Sequence, residues 1–179
     1  MDNSQLYEEL RERIEEKAVV DAVARIITST LDINQVYEQF AVQAKKLLDF
    51  ERAVLSIIDR DKRTYLVKYL FGPVKMDRPI GVVRPLVEGS CTHYVVTTNQ
   101  TLNQPDLATN PMFPDDADFV KAGLCYLIAT PLVSKDVVSG ALILRGRGAG
   151  AFGSREQRIL EGLAAQIAPA VENSLLYEE

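Results

Sequence analysis

The sequence predicts an α+β domain, in which helices from both ends of the chain flank one face or one end of an antiparallel sheet. Apolar residues recur at helical spacing near both termini. Two pairs of short, partly β-branched runs are each joined by a polar connection. The predicted elements follow the order helix, helix, hairpin, mixed middle, hairpin, helix, which favours antiparallel strand neighbours.

The first predicted helix covers residues 4–30, where apolar residues recur every three or four positions among charges of both signs. Its apolar stripe is thin in the first half, which carries Leu6, Leu10 and Ile14. We therefore expect that half to pack against a partner helix rather than against its own domain. Asp32 is a suitable N-cap for a second helix, whose apolar face extends to Leu48.

Two hairpins are predicted from apolar runs separated by polar turns. The first pairs residues 53–58 with residues 64–71 across a charged turn. The second pairs residues 124–133 with residues 137–144. Residues 134–136 form a tight connection, so these two strands are expected to lie side by side.

The middle of the chain mixes short elements with loops. Residues 79–83 are interpreted as a short strand, and Ser90 as the cap of a helix over residues 91–98. Two acids at 115–116 start a short helix that Gly123 ends, and they are interpreted as solvated caps. Residues 105–114 are loop by composition.

A long helix is predicted at the C-terminal end, beginning at the cap residue Ser154. Pro169 lies inside it and removes one backbone hydrogen bond. Small and apolar residues recur there at alternating spacings of three and four, which is typical of a heptad seam: Leu160, Leu163, Ile167, Ala170, Ser174 and Tyr177.

Composition narrows the classes of function. The chain has 179 residues, 47% hydrophobic and 25% charged, with a net charge of -5, which is the mix of one globular domain with additional helix. It has no basic patch for nucleic acid or anionic lipid. No signal peptide or membrane-spanning run is visible, and the two cysteines make no disulfide framework. We therefore expect a cytoplasmic protein with no nucleic-acid partner and no direct membrane contact.

Several motifs in the second half resemble those of a GAF domain. One strand ends in Pro131 and Leu132, the next carries Gly-x-Leu-x-Leu from Gly140, and Phe152 precedes Glu156 at the start of the last helix. The stretches that carry the resemblance occur in the order of the family: residues 88–96, 105–113, 122–132, 139–144, 152–156 and 163–178.

The resemblance implies a GAF-type antiparallel sheet of about six strands, with the N- and C-terminal helices packed on one face and a small-molecule pocket on the other. It divides the chain into an N-terminal signalling helix at 1–30, a GAF core at 31–158 and a C-terminal dimerisation helix at 159–179. The implied function is a non-catalytic sensory module of a signal-transduction protein, such as a two-component histidine kinase, that works as a homodimer with a small-molecule ligand.

The expected pocket draws on the helix at 91–95, the loop at 106–113 and the strand at 124–131. Alternation along the strand separates Cys125, Leu127 and Ala129 from their neighbours without deciding which set faces the pocket. The polar or polarisable candidates for ligand binding are Cys91, His93, Tyr94, Asp106, Tyr126 and Thr130.

The sequence identifies no cofactor. His93 is the only histidine, so a haem site would rest on one side chain, and a metal site needs several ligands. Cys125 lies inside a strand, which disfavours bilin attachment, and the Asn-Lys pair of cyclic-nucleotide-binding relatives is replaced by Arg145 and Gly146. Two alternatives remain open: an enzyme resembling free methionine-(R)-sulfoxide reductase that uses Cys91, and a purely structural dimerisation domain.

Overall fold

The computed structural model describes residues 2–29, 32–72, 80–148 and 152–177. In the described residues both terminal helices form, as the sequence predicts. Three shorter helices lie between them. The helices are α1 (Asn3–Ser29), α2 (Ile33–Lys45), α3 (Cys91–Thr98), α4 (Asp116–Lys121) and α5 (Ser154–Tyr177).

The strands form one six-stranded antiparallel sheet in the order β3-β2-β1-β6-β5-β4. This confirms the predicted fold class and both hairpins. The strands are β1 (Arg52–Asp59), β2 (Thr64–Phe71), β3 (Arg84–Pro85), β4 (Leu102–Gln104), β5 (Tyr126–Ser134) and β6 (Val137–Gly146).

Turns and caps follow from local chemistry. Lys135 and Asp136 both have positive φ, so the β5–β6 hairpin closes with the two-residue turn whose twist matches the strands. Asp32 accepts the N–H of Asn34, and Ser90 Oγ accepts the N–H of His93, which confirms both predicted N-caps. The strand predicted at 79–83 is wrong for residues 80–83, because Gly81 turns the chain at a φ of 83°. Residue 79 lies outside the described residues.

Three helices cover one face of the sheet. α5 packs on β5, α1 packs on α5 and α2, and α2 packs on α5 and β2. Arg155 of α5 forms an ion pair with Glu16 of α1 at 3.1 Å. The core on this face, which we call the helical-layer core, includes alternate residues of β1 and β6: Ala53, Leu55, Ile57, Leu142 and Leu144.

The first part of the predicted heptad seam faces the chain's own sheet. Leu160, Leu163 and Ile167 are fully buried in the helical-layer core, so they are not available to a partner chain. α5 also begins at Ser154, so the domain boundary expected between residues 158 and 159 falls within this helix. The side chains of Ser174 and Tyr177 lie outside the described part of the chain.

The opposite face carries a second core between the sheet and helices α3 and α4. Its members include Val54, Ile143, Leu127 and Ala129 from the strands and Val95 from α3. Among the described residues, no helix is both long and apolar enough to cross a membrane.

Candidate functional site

A cavity opens on the α3–α4 face of the sheet, and we call it the arginine cavity. Its volume is about 50 Å³. The lining comes from β1, β2, β6, the start of α3, the residue before α4, and α4 itself. It comprises Arg52, Val54, Ser56, Tyr65, Val67, Ser90, Cys91, Thr92, Asp115, Phe119, Ile143 and Arg145.

Arg52 and Arg145 dominate the polar lining. They face each other directly across the β1–β6 ladder, and only 2% and 4% of their surfaces are exposed. The guanidinium carbon of Arg145 lies 3.5 Å from the centre of the Phe119 ring, and that of Arg52 lies 5.8 Å from it. An aromatic face attracts a guanidinium in this geometry. α4 thus contributes one ring that contacts both cationic side chains.

Asp116 anchors the loop that carries this ring. Its carboxylate accepts the backbone N–H groups of Met112 and Phe113, each at 2.8 Å, and its side chain is fully buried. The expectation that both acids are solvated is therefore wrong for Asp116, since the loop closes over it. Asp115 is half-buried and lines the cavity.

Cys91 is the predicted candidate that lines the arginine cavity. Its side chain is buried, and that burial raises the pKa of the thiol from 9.0 to about 12. Arg145 lowers this pKa, whereas Asp115 and Asp116 raise it further. Cys91 therefore carries its proton at neutral pH and contributes a small, weakly polar wall.

Three other predicted residues lie on α3 or in the following loop. His93 is half-buried, and its backbone N–H bonds to the cap residue Ser90. Tyr94 packs edge-on against Phe113, with the ring centres 6.5 Å apart. Asp106 accepts the N–H of Thr109 at 3.2 Å and so shapes its own loop. None of the three belongs to the described lining of the arginine cavity.

Tyr126 and Thr130 lie on the other side of β5. Tyr126 belongs to the helical-layer core, where its hydroxyl donates to the carbonyl of Asp49 and its ring packs against Phe152. Thr130 Oγ1 lies 2.9 Å from Thr101 Oγ1 and borders a groove beside α5. The structure thus brings none of the six candidates other than Cys91 to the arginine cavity, and ligand binding by the set remains a prediction.

Arg52, Arg145 and Phe119 were not predicted as site residues from the sequence. Both arginines flank apolar strand cores, a position in which charge is usually interpreted as a strand end. A signal was nevertheless present, because the alternation of β1 and β6 places them on the same face as Val54 and Ile143. Their pairing depends on the β1–β6 register, which no local pattern gives.

The family model for the GAF domain matches residues 30–172. The chain belongs to the GAF domain family. Comparison with curated protein sequences found no match.

Solved GAF domains share the fold. The GAF domain of a phosphoenolpyruvate-protein phosphotransferase from Acinetobacter has a TM-score of 0.74 at 14% identity, covering 91% of this chain and 96% of that chain. The GAF domain of a two-component sensor histidine kinase from Bacillus halodurans has a TM-score of 0.72 at 18% identity, covering 84% of this chain and 100% of that chain.

An enzyme with the same fold is also similar. Free methionine-R-sulfoxide reductase from Neisseria meningitidis, solved with its substrate, has a TM-score of 0.72 at 14% identity, covering 90% of this chain and 91% of that chain. At these identities the likeness extends to the fold alone. The similar structures include both a domain of a sensor kinase and an enzyme, so the fold alone does not distinguish a sensory function from a catalytic one.

Proposed function

We propose that this GAF domain is a cytoplasmic sensory and regulatory module of a signal-transduction protein, such as a two-component histidine kinase. It binds a small ligand in the arginine cavity and transmits the bound state through a helical dimer interface. The observation that supports this best is the position of the cavity, which shares strands β1 and β6 with the core beneath the terminal helices.

Transmission follows from the alternation of those strands. Arg52 and Val54 point to the cavity side of β1, and Ala53 and Leu55 between them contact the helical layer. A ligand that moves β1 or β6 therefore also moves the packing of the helices. Such a ligand shifts a two-state equilibrium by the difference between its affinities for the two states.

The surface of α1 supplies a dimer interface. Leu6, Leu10 and Ile14 are 57%, 55% and 61% exposed, and they recur every four residues. At about 100° per residue, this stripe lies on the side of α1 opposite Val19 and Val23, which are buried in the chain's own core. Pairing the stripes of two chains would cover it.

The test is to purify the protein in chloride buffer, measure its mass by light scattering, and identify small molecules released on unfolding. A dimer that releases a stoichiometric compound, or that is stabilised by one added back, supports a sensor. A dimer that binds nothing supports the structural dimerisation alternative. A monomer at high concentration contradicts transmission through a dimer.

The enzyme alternative meets a chemical obstacle at Cys91. A reductase nucleophile needs an accessible thiolate, whereas burial keeps this thiol protonated. We therefore propose that the module itself is not catalytic. Turnover of free methionine sulfoxide with a thiol reductant by the wild-type protein, abolished in Cys91→Ala, would reverse this assignment.

A further inference from the structure

We infer that residues 108–123 form a gate over the arginine cavity, which opens by local unfolding of α4 and carries the Phe119 ring away from the cavity wall. Asp116 is the latch of this gate. The inference rests on the proposed ligand-binding function, and it adds how a ligand reaches the buried part of that site.

The walls of the cavity differ in how firmly they are held. Strands β1, β2 and β6 are each paired with a neighbouring strand on both sides. α3 packs on β4, β5 and β6. Of the described helices, α4 packs least on other elements, and a helix this short is not stable by itself in water. α4 is therefore the wall that opens at the lowest cost in free energy.

The segment that contains α4 is a loop whose two ends meet. Leu107 before it and Leu124 after it are fully buried. The N–H of Leu107 donates to the carbonyl of Cys125 at 2.8 Å, and the N–H of Cys125 donates to the carbonyl of Gly146 at 2.7 Å. Compact surface loops with neighbouring ends are frequently functional. Residues 108–123 can unfold while both of their ends stay fixed to the sheet.

Three buried side chains hold this segment against the domain. Phe113, Asp116 and Phe119 are the buried residues of 108–123, and the other positions are half-buried or exposed. Phe113 packs against Tyr94 of α3, and Phe119 lines the cavity. A segment with so few buried contacts opens at a lower free energy than the core of its domain.

Phe119 ties the gate to the cavity itself. The centre of its buried ring lies 3.5 Å from the guanidinium carbon of Arg145 and 5.8 Å from that of Arg52. The attraction between a cation and an aromatic face holds the ring there, whatever else the guanidinium groups bind. When α4 unfolds, the ring leaves this position, and the cavity opens on the side of α4.

Asp116 holds the gate closed. One oxygen of its carboxylate accepts the N–H groups of Met112 and Phe113, each at 2.8 Å. Its own N–H donates to the carbonyl of Phe113 at 3.1 Å. Hydrogen bonds to a charged acceptor are roughly twice as strong as those between neutral groups. These bonds fasten the loop to the first turn of α4, so loss of the charge weakens the closed state.

Amide hydrogen exchange of the full wild-type chain, followed by NMR at increasing urea, tests the gate. The N–H groups of Phe119 and Ala122 bond within α4 and its first turn. After correction for intrinsic rates, they should exchange about a hundredfold or more faster than amides bonded in the β1–β6 ladder. Their rates should change little below the urea midpoint, whereas the ladder amides follow global unfolding. Equal protection and equal urea dependence in both groups would overturn the inference.

A variant on the other face of the sheet separates local from global opening. Ile167 is fully buried in the helical-layer core, and its contacts are the same whether the gate is open or closed. Ile167→Val should therefore speed exchange of the ladder amides about fivefold and leave Phe119 and Ala122 at their wild-type rates. The same acceleration at Phe119 and Ala122 would contradict a separate gate.

The latch is tested by Asp116→Asn, which keeps an acceptor and removes the charge. Exchange at Phe119 and Ala122 should become about tenfold faster. Asp118→Asn is the matched control, because it makes the same chemical change at an exposed position of α4 and should leave both rates unchanged. Equal effects of the two substitutions would exclude Asp116 as the latch.

Labelling of Cys91 connects the gate to the cavity. In a Cys125→Ser background, Phe113→Leu loosens the segment at a residue outside the described cavity lining, and Cys91 should react with a disulfide reagent about threefold or more faster. Met112→Leu is the control, since Met112 is 44% exposed in the same loop. An unchanged rate in Phe113→Leu would overturn the inference. If a compound is released on unfolding from a protein whose α4 amides exchange with the ladder, the gate fails while the proposed sensory function stands.

Discussion

Cys91 shows how strongly one residue's surroundings decide its chemistry. Burial raises the pKa of the thiol to about 12, and Asp115 and Asp116 add to this rise while Arg145 opposes it. A cysteine in this state behaves as a small packing residue. The reactivity of the thiol therefore measures how well the cavity wall excludes water.

In a Cys125→Ser variant, Cys91 should react with a disulfide reagent at pH 8 about a thousandfold more slowly in the folded protein than in urea. The factor follows from the smaller thiolate fraction when the pKa rises from 9.0 to about 12. The Cys91→Ala variant, in which Cys125 remains, gives the rate of the half-buried thiol for comparison. Folded and unfolded rates within tenfold of each other would contradict the assignment.

The raised pKa of Cys91 also makes the stability of the protein depend on pH. Folding raises the pKa of the Cys91 thiol above 9.0, the value for the unfolded chain. The protonated thiol therefore contributes fully to the free energy of unfolding below pH 9, and this contribution is lost as the pH rises toward 12. The urea midpoint should therefore fall between pH 7.5 and pH 10.5 by more in the wild type than in Cys91→Ala. An equal fall in both would show that another group is responsible.

Tyr126→Phe removes the hydroxyl that bonds to the carbonyl of Asp49 and leaves the packing on Phe152 in place. We expect the free energy of unfolding to fall by about 0.5–1.5 kcal/mol, since a partly buried hydrogen bond between a side chain and the backbone is lost. Urea denaturation measures it. Tyr7→Phe is the control, because Tyr7 is 74% exposed and its variant should match the wild type.

At the scale of elements, the effect of replacing a glycine depends on how closely neighbouring backbone approaches it. Gly140 lies where β6 meets β1, and a Cβ there would run into the backbone carbonyl of Ser56. Gly162 in α5 has open space around the same position. We therefore expect substitution by alanine to change the stability of the protein in opposite directions at the two positions.

Gly140→Ala should destabilise the protein by about 1–3 kcal/mol, because the strands must separate to admit the methyl group. Gly162→Ala should stabilise it by about 0.5–1 kcal/mol through helix propensity. Urea denaturation of both variants gives the comparison. A destabilised Gly162→Ala would indicate a contact made by α5 beyond this chain.

Elements that rest on local signals were predicted correctly. The caps at Asp32 and Ser90 and the β5–β6 hairpin need only neighbouring residues, and they form as expected. The strand predicted over residues 80–83 is wrong, since an apolar run does not reveal whether a partner strand lies beside it. The pairing of Arg52 with Arg145 was out of reach because it depends on register between distant segments.

At the scale of the whole molecule, the sheet separates two cores with different roles. The helical-layer core holds the terminal helices against the sheet, and the second core surrounds the cavity. The second half of α1 packs against the chain's own helices, whereas the first half carries the exposed stripe. The dimer proposed above depends on the uncovered half.

Leu10→Glu should convert the dimer to a monomer while Tm at low protein concentration stays within about 2 °C, because this exposed side chain contributes little to the fold. Light scattering and thermal unfolding measure the two effects. Gln5→Glu is the matched control, since it adds the same charge on the other side of α1. A dimer that survives Leu10→Glu would place the interface elsewhere.

The alternation of β1 has a consequence for how this domain can change over time. Even-numbered positions 52, 54 and 56 face the cavity, and odd-numbered positions 53, 55 and 57 face the helices. Under the proposed sensory function, substitutions at even positions change ligand recognition and leave the helix contacts in place, whereas substitutions at odd positions change the packing of the helices. Residues proposed to contact the ligand and residues that contact the helices therefore alternate along one strand, so ligand specificity can change in evolution without changes to the helix contacts.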